Sequence, residues 1–162
     1  MNDAPATTPA AAPGRSPVPT FCLIDDSAVL GKLLDVICST RTDVAFLGAA
    51  FSTADYHARL APKEPDVVLL DYGIPGDKPL AAIASMHTRG SRHLKPAVVM
   101  LSANTEAATV QRALVAGAWG YIGKDAGTEE IIDLVRRSAA GQLVFSRSVR
   151  AVLGTALGTL PT

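Results

Sequence analysis

Asp25, Asp26, Asp71, Ser102 and Lys124 lie far apart in the chain, yet each falls at or just past the end of a short apolar run. The runs are TFCLID, DVVLLD, PAVVMLSA and WGYIGK. Three carboxylates brought to one place repel one another unless something neutralises them. A hard divalent cation does this well, and Mg²⁺ prefers carboxylate and carbonyl oxygens while keeping waters in its shell. The absence of His and Cys from the set argues against zinc or a softer metal. Lys124 would supply a second counter-charge and Ser102 a hydroxyl donor. These are the parts of a phosphoryl-transfer site, which needs alignment and charge neutralisation more than covalent work. A carboxylate can itself be the nucleophile and hold the phosphoryl group as an acyl phosphate. Asp71 is the best candidate. It ends the most apolar run, and Gly73, Pro75 and Gly76 give the loop after it its bends. Each signal is weak alone, since acidic pairs often cap helices and a Ser or Lys after a strand is unremarkable. Their joint placement carries the argument.

Elements must exist that bring these positions together. Apolar runs alternate with segments of helical spacing, five times over, from Thr20 onward. SAVLGKLLDVICSTR places Val29, Leu33, Leu34, Val36 and Ile37 at helical spacing, with Ser27 as N-cap. A helix over STADYHARLAP stops near Pro62 and Pro65, and Pro79 opens the next in its first turn, where a missing N–H costs little. Asn104 is expected to cap the following helix and Gly117 to stop it. In TEEIIDLVRRSAAG, Glu129 and Glu130 lead and Arg136 and Arg137 close, an order that suits the helix dipole. Alternating strands and helices imply parallel pairing through right-handed crossovers. Strands apolar on both faces require helices on both sides. The expected fold is therefore an α/β doubly wound three-layer sandwich, with its site outside the C-terminal ends of the strands.

Composition narrows the class. Of 162 residues, 48 % are hydrophobic and 19 % charged, which is globular. Lys plus Arg and Asp plus Glu both number 15, so no concentrated positive field is available for nucleic acid. Direct DNA binding by this chain is not expected. Cys22 and Cys38 stand in no paired ligand spacing and read as reduced, buried thiols. No run approaches a membrane span and the N-terminus lacks signal-peptide order, so a cytoplasmic location is expected. Residues 1–19 are Pro/Ala-rich and expected to be a disordered leader, 20–140 the folded domain, and 141–162 a linker or extra helix with no output domain.

The stretches LIDDS at 23–27, PDVVLLDYGIPG at 65–76, VVMLSA at 98–103 and GAWGYIGKD at 117–125 resemble the receiver domain of two-component response regulators. The likeness covers about residues 20–140. It implies a flavodoxin-like, five-stranded parallel sheet of order 2-1-3-4-5. It further implies phosphoryl acceptance on Asp71 from a histidine kinase or histidine phosphotransfer protein. Asp26 would bind Mg²⁺ directly and Asp25 through water, with Asp71 and the Gly73 carbonyl completing the protein's share. Ser102 would bond a phosphoryl oxygen, Lys124 would pair with it or with Asp71, and Tyr121 would be the aromatic switch that turns inward as Ser102 moves. Such a domain is no enzyme beyond its own phosphorylation and dephosphorylation, and its output is a changed contact with a downstream protein. GQLVFSRSVRAVL is most similar to the end of receivers that precede a helix-turn-helix output domain. Two positions depart from the family: Asp125 replaces the frequent proline after the lysine, where a cis bond would cost about 3–4 kcal/mol, and Lys78–Pro79 alters the loop after Asp71.

Rival readings are weaker. A phosphorylation-independent receiver-like scaffold would lack one of the acids or the lysine. An aspartyl phosphatase carries a second aspartate two residues after the nucleophile, where Gly73 stands here. A flavin phosphate would be repelled by Asp25 and Asp26. His57, His87 and His93 read as surface, and Trp119 and Phe145 as packing groups. Val149, Val152, Leu153, Ala156, Leu157 and Leu160 recur at helical spacing, weakened by Gly154 and Gly158 at roughly 1 kcal/mol each. Two readings of that tail stand: a helix linking or folded on its own domain, or a homodimer contact.

Overall fold

A computed structural model describes residues 18–87 and 95–158. The leader through residue 17, the connection at 88–94 that holds His93, and Leu160 lie outside the described residues, as does the side chain of Leu157. Strands β1 (Thr20–Ile24), β2 (Ala45–Ala50), β3 (Val67–Asp71), β4 (Ala97–Ser102) and β5 (Gly120–Gly123) alternate with helices α1 (Ala28–Cys38), α2 (Thr53–Arg59), α3 (Pro79–Met86), α4 (Ala107–Val115) and α5 (Thr128–Ala139). Two further elements follow, β6 (Val144–Phe145) and α6 (Arg147–Gly158).

The sheet is parallel throughout, with order β2-β1-β3-β4-β5-β6. The doubly wound fold is as expected, but the sheet has six strands where five were expected. After α5 the chain turns at Gly141, whose φ is +92°. Val144 and Phe145 then pair with Gly120 and Tyr121. Gly120 permits this approach, since a Cβ there would stand 2.5 Å from the Val144 carbonyl oxygen.

Alternation along the strands divides the core in two. Cys22, Ile24, Val68, Leu70, Val98 and Met100 face one side, with Tyr56, Ile83, Met86 and Val110 from α2, α3 and α4. Phe21, Leu23, Val67, Leu69, Val99 and Leu101 face the other, with Leu34 of α1 and Ile131, Ile132 and Val135 of α5. Both faces of β3 are buried along its whole length, as a central parallel strand requires. The terminal elements serve both halves: Val144 joins the α1/α5 side and Val149 the α2/α3/α4 side.

Helix α1 forms with Ser27 at its N-cap, accepting from the Val29 N–H. Of the apolar residues expected to face inward, Leu34 is buried and Ile37 is partly buried against the core, but the other three are not. Gly31, Leu34 and Cys38 point inward, while Val29, Leu33 and Val36 are 75 %, 45 % and 69 % exposed. The reason is steric: a Cβ at Gly31 would lie 2.9 Å from that of Ala49, so this bare position is where α1 meets β2. Helix α4 also begins later than expected. The Asn104 side chain accepts from the Glu106 N–H, forming a turn, and the Glu106 carbonyl takes the first helical bonds. Gly117 ends α4 at φ +109°. The expected tail helix is α6, which packs on β5 and α4 and buries Val149, with Leu153 partly buried against the same core.

Candidate functional site

Strand order reverses between β1 and β3, and the loops leaving those two strands open a crevice. Asp25 follows β1, Asp71 ends β3, Ser102 ends β4 and Lys124 follows β5. Asp25, Asp71 and Ser102 are buried, whereas Asp26 and Lys124 reach solvent. Carboxylate oxygens of Asp25, Asp26 and Asp71 all lie within 4.8 Å of one another. Lys124 Nζ donates to Asp71 Oδ2 at 3.0 Å and to Asp25 Oδ2 at 3.4 Å. The chain thus brings together the five residues that its sequence scatters.

Each is held by its own loop. The Asp25 N–H donates to the Ala50 carbonyl, and Asp25 Oδ1 accepts from the Ser27 N–H at 2.9 Å. Asp71 Oδ1 accepts from the Gly73 N–H at 3.1 Å, which leaves Oδ2 to Lys124. Ser102 Oγ accepts from the Asn104 N–H at 3.0 Å. The Lys124 N–H continues the ladder to the Ser102 carbonyl at 2.9 Å. Tyr121 is fully buried, so its ring is already inside in this structure, and its hydroxyl donates to the Asn104 carbonyl.

Charge is unbalanced here. Burial pushes the Asp25 carboxyl above its usual range; the Ser27 N–H and Lys124 pull it back, and the charge of Asp71 pushes it up again. Burial would depress the Lys124 ammonium, but the hydrogen bond and charge of Asp71, with Asp25 beside it, hold it above its ordinary value. Three carboxylates facing one ammonium leave an excess of two negative charges. A divalent cation cancels that excess, and the donor set is hard oxygen throughout, so the residues present fit Mg²⁺.

Several contacts at this edge carry no strong sequence signal. Asp77, in the loop after Asp71, accepts from Thr53 N and Oγ1 at 2.8 and 3.0 Å and so ties that loop to the start of α2. The Lys124–Asp125 bond is trans, and Asp125 Oδ1 accepts from Ser148 Oγ at 2.8 Å. Ser146 Oγ accepts from the Gly123 N–H at 2.9 Å. Ser146 and Ser148 sit on either side of the first residue of α6, a local feature that by itself does not reveal the last two contacts. Outside the site, His57 is exposed with Nε2 3.1 Å from Ser85 Oγ. Trp119 is partly exposed, its indole N–H donating to the Gly141 carbonyl.

The fold and the residues along its edge define a class: the chain belongs to the response regulator receiver domain family, which matches residues 21–136. Among individual proteins, it is similar to the nitrate/nitrite response regulator protein NarL of Escherichia coli K12, with 30 % identity over 139 residues, covering 85 % of this chain and 62 % of that protein. The chain therefore spans less than two thirds of that relative's length. The signal receiver domain of the putative NarL of Mycobacterium tuberculosis superposes with a TM-score of 0.68 at 30 % identity, covering 78 % of this chain and all of that one. A protein-glutamate methylesterase/protein-glutamine glutaminase of Hahella chejuensis is 32 % identical over 126 residues, but the match covers only 32 % of its length.

Proposed function

We propose that Asp71 is the phosphoacceptor of this receiver and that the observation carrying this reading is the pairing of Lys124 Nζ with Asp71 Oδ2 at 3.0 Å. An Asp71 oxygen attacks phosphorus, the bond from phosphorus to the donor breaks, and the electron pair leaves with the donor. With an imidazole phosphate as donor, the leaving group is the histidine ring of a kinase or phosphotransfer protein. Lys124 transfers its pairing from Asp71 to a phosphoryl oxygen, and the Ser102 hydroxyl donates to another. Asp25 and Asp26, with Asp71 and the Gly73 carbonyl, would hold Mg²⁺, which when bound neutralises charge on the moving oxygens. Hydrolysis of the acyl phosphate by water returns the site to its start, so the domain's chemistry acts on itself.

Output runs through the β4–α4 loop. A phosphoryl group that draws Ser102 toward it moves Asn104, and Tyr121 is bonded to Asn104. The surface that changes includes α4 and β5, a surface for a downstream protein or a second copy of the chain rather than for DNA. No described helix is long and apolar enough to cross a membrane. Two buried free thiols suit a reducing cytoplasm.

Intact mass spectrometry after incubation with acetyl phosphate and Mg²⁺ tests the reading. One Mg²⁺-dependent phosphoryl adduct that vanishes in Asp71→Ala is expected. An adduct that persists in that variant would assign the nucleophile elsewhere, and a folded, Mg²⁺-binding chain that gains none from any donor would support a phosphorylation-independent scaffold.

A further inference from the structure

Lys124 stands between two residues that the C-terminal segment holds. On one side, the Gly123 N–H donates to Ser146 Oγ, an oxygen buried within the protein. On the other, Asp125 Oδ1 accepts from Ser148 Oγ at 2.8 Å. Ser146 and Ser148 flank the start of α6, and they lie 3.4 Å apart through their own hydroxyls. The fit around Gly123 is tight: a Cβ there would stand 2.3 Å from Asp125 Oδ1 and 2.7 Å from Ser148 Oγ. The same Cβ would be 3.2 Å from Thr105 Cγ2, in the loop after Ser102. The start of α6 is fixed in turn by the Glu130 carboxylate, which accepts from the Arg147 N–H at 2.7 Å.

We infer that Asp125 and Ser148 are positioning residues for Lys124, so that docking of α6 and phosphorylation of Asp71 are energetically coupled. The inference rests on the reading of Asp71 as phosphoacceptor. Neither residue touches the reacting atoms. A receiver with proline after its lysine offers no side-chain acceptor at that place; here Asp125 does, and Ser148 of α6 meets it. Lys124 reaches Asp71 from a loop whose two neighbouring residues are bonded to one helix start, so an undocked α6 leaves the ammonium less well aimed. Coupling between two sites is reciprocal. If docked α6 favours the phosphoryl group, then the phosphoryl group, by engaging Lys124, favours docked α6.

The test uses the full chain with acetyl phosphate and Mg²⁺. Ser148→Ala and Asp125→Ala should each slow labelling of Asp71 roughly three- to tenfold, the worth of one hydrogen bond. The double variant should be no slower than the slower single one, since both remove the same bond. Asp125→Asn keeps an acceptor oxygen and should restore most of the rate. Mg²⁺ affinity, read by titration, should be unchanged in all of them, because no proposed ligand is altered. Amide hydrogen exchange across residues 147–156 should slow on phosphorylation in the wild-type chain, and this response should shrink in Ser148→Ala. The wild-type exchange comparison needs no substitution, so it decides the matter even if an alanine variant melts early. A wild-type chain that takes no phosphoryl group on Asp71 from acetyl phosphate or from a phosphohistidine protein overturns the site reading and this inference with it. A wild-type chain that labels normally, with exchange in α6 blind to the label or with both alanine variants at full rate, overturns the inference alone.

Discussion

The Tyr121 hydroxyl donates to the backbone carbonyl of Asn104, 2.5 Å away, and so binds the middle of β5 to the loop that leaves Ser102. Two strands that supply different site residues are thereby joined by one side chain, from within the core. Tyr121→Phe removes this donor and leaves the carbonyl without it. A loss of about 0.5–1.5 kcal/mol in urea unfolding is expected, with the Asp71 adduct still formed, because Asp71, Lys124 and Ser102 are all retained.

Lys124→Met removes the ammonium that faces Asp71 and Asp25 while keeping most of the side chain's bulk. Loss of one preorganised donor to the transferring group costs about 10²- to 10³-fold in rate. The time course of the phosphoryl adduct with acetyl phosphate measures this. A decline of less than about threefold would remove Lys124 from the transfer step.

Asp25→Asn should have opposite effects on stability and on metal binding. Burial and the neighbouring Asp71 make the Asp25 carboxylate costly to keep ionised. Without Mg²⁺, the amide should raise the melting temperature by a few degrees. Mg²⁺ affinity should fall, and the stabilisation that added Mg²⁺ gives the wild-type chain should largely disappear. Calorimetry with and without Mg²⁺ reads both.

Val29, Leu33 and Val36 form an exposed apolar stripe on α1, the helix that starts just past Asp25 and Asp26. A phosphohistidine protein that docks on this helix to reach Asp71 would cover the stripe, whereas acetyl phosphate need not touch it. Leu33→Ser should therefore leave small-donor labelling and stability nearly unchanged, within about 0.5 kcal/mol for the latter. Transfer from the cognate phosphohistidine protein should slow by an order of magnitude. Equal rates with that protein would place its docking elsewhere.

Gly31→Ala sets helix propensity against packing. In an isolated helix the alanine would gain roughly 1 kcal/mol. Here its Cβ would meet that of Ala49 at 2.9 Å. Overpacking of this kind costs about 1–3 kcal/mol, so the net change in thermal unfolding should be destabilising. The pair Gly31→Ala with Ala49→Gly should recover part of it.

The site was more legible than its supports. Asp25, Asp71, Ser102 and Lys124 could be found because parallel strands buried on both faces end abruptly in polar residues, and that break shows in one dimension. The phase of α1 was not legible. An 11-residue helix rich in Val, Leu and Ile fits several inward faces, and the choice fell to Gly31, which signals by having no side chain. Asn104 is both a good cap and a good turn former, and only its bond to the Glu106 N–H decides between them. The strand β6 is two residues long, too short for any periodicity, and it exists because Gly120 leaves space for Val144. Asp125–Ser148 is a pairing across 23 positions that depends on how α6 lies, which no local pattern records.

The division of Val144 and Val149 between the two halves of the core has a consequence for synthesis. A nascent chain that has just emerged past Lys124 already contains Asp25, Asp26, Asp71 and Ser102, yet neither half of its core is closed. Closure waits for a further stretch ending in the first turn of α6. The ribosome thus delivers every residue of the proposed site before it delivers Val144 and Val149, which complete the two halves of the core around them.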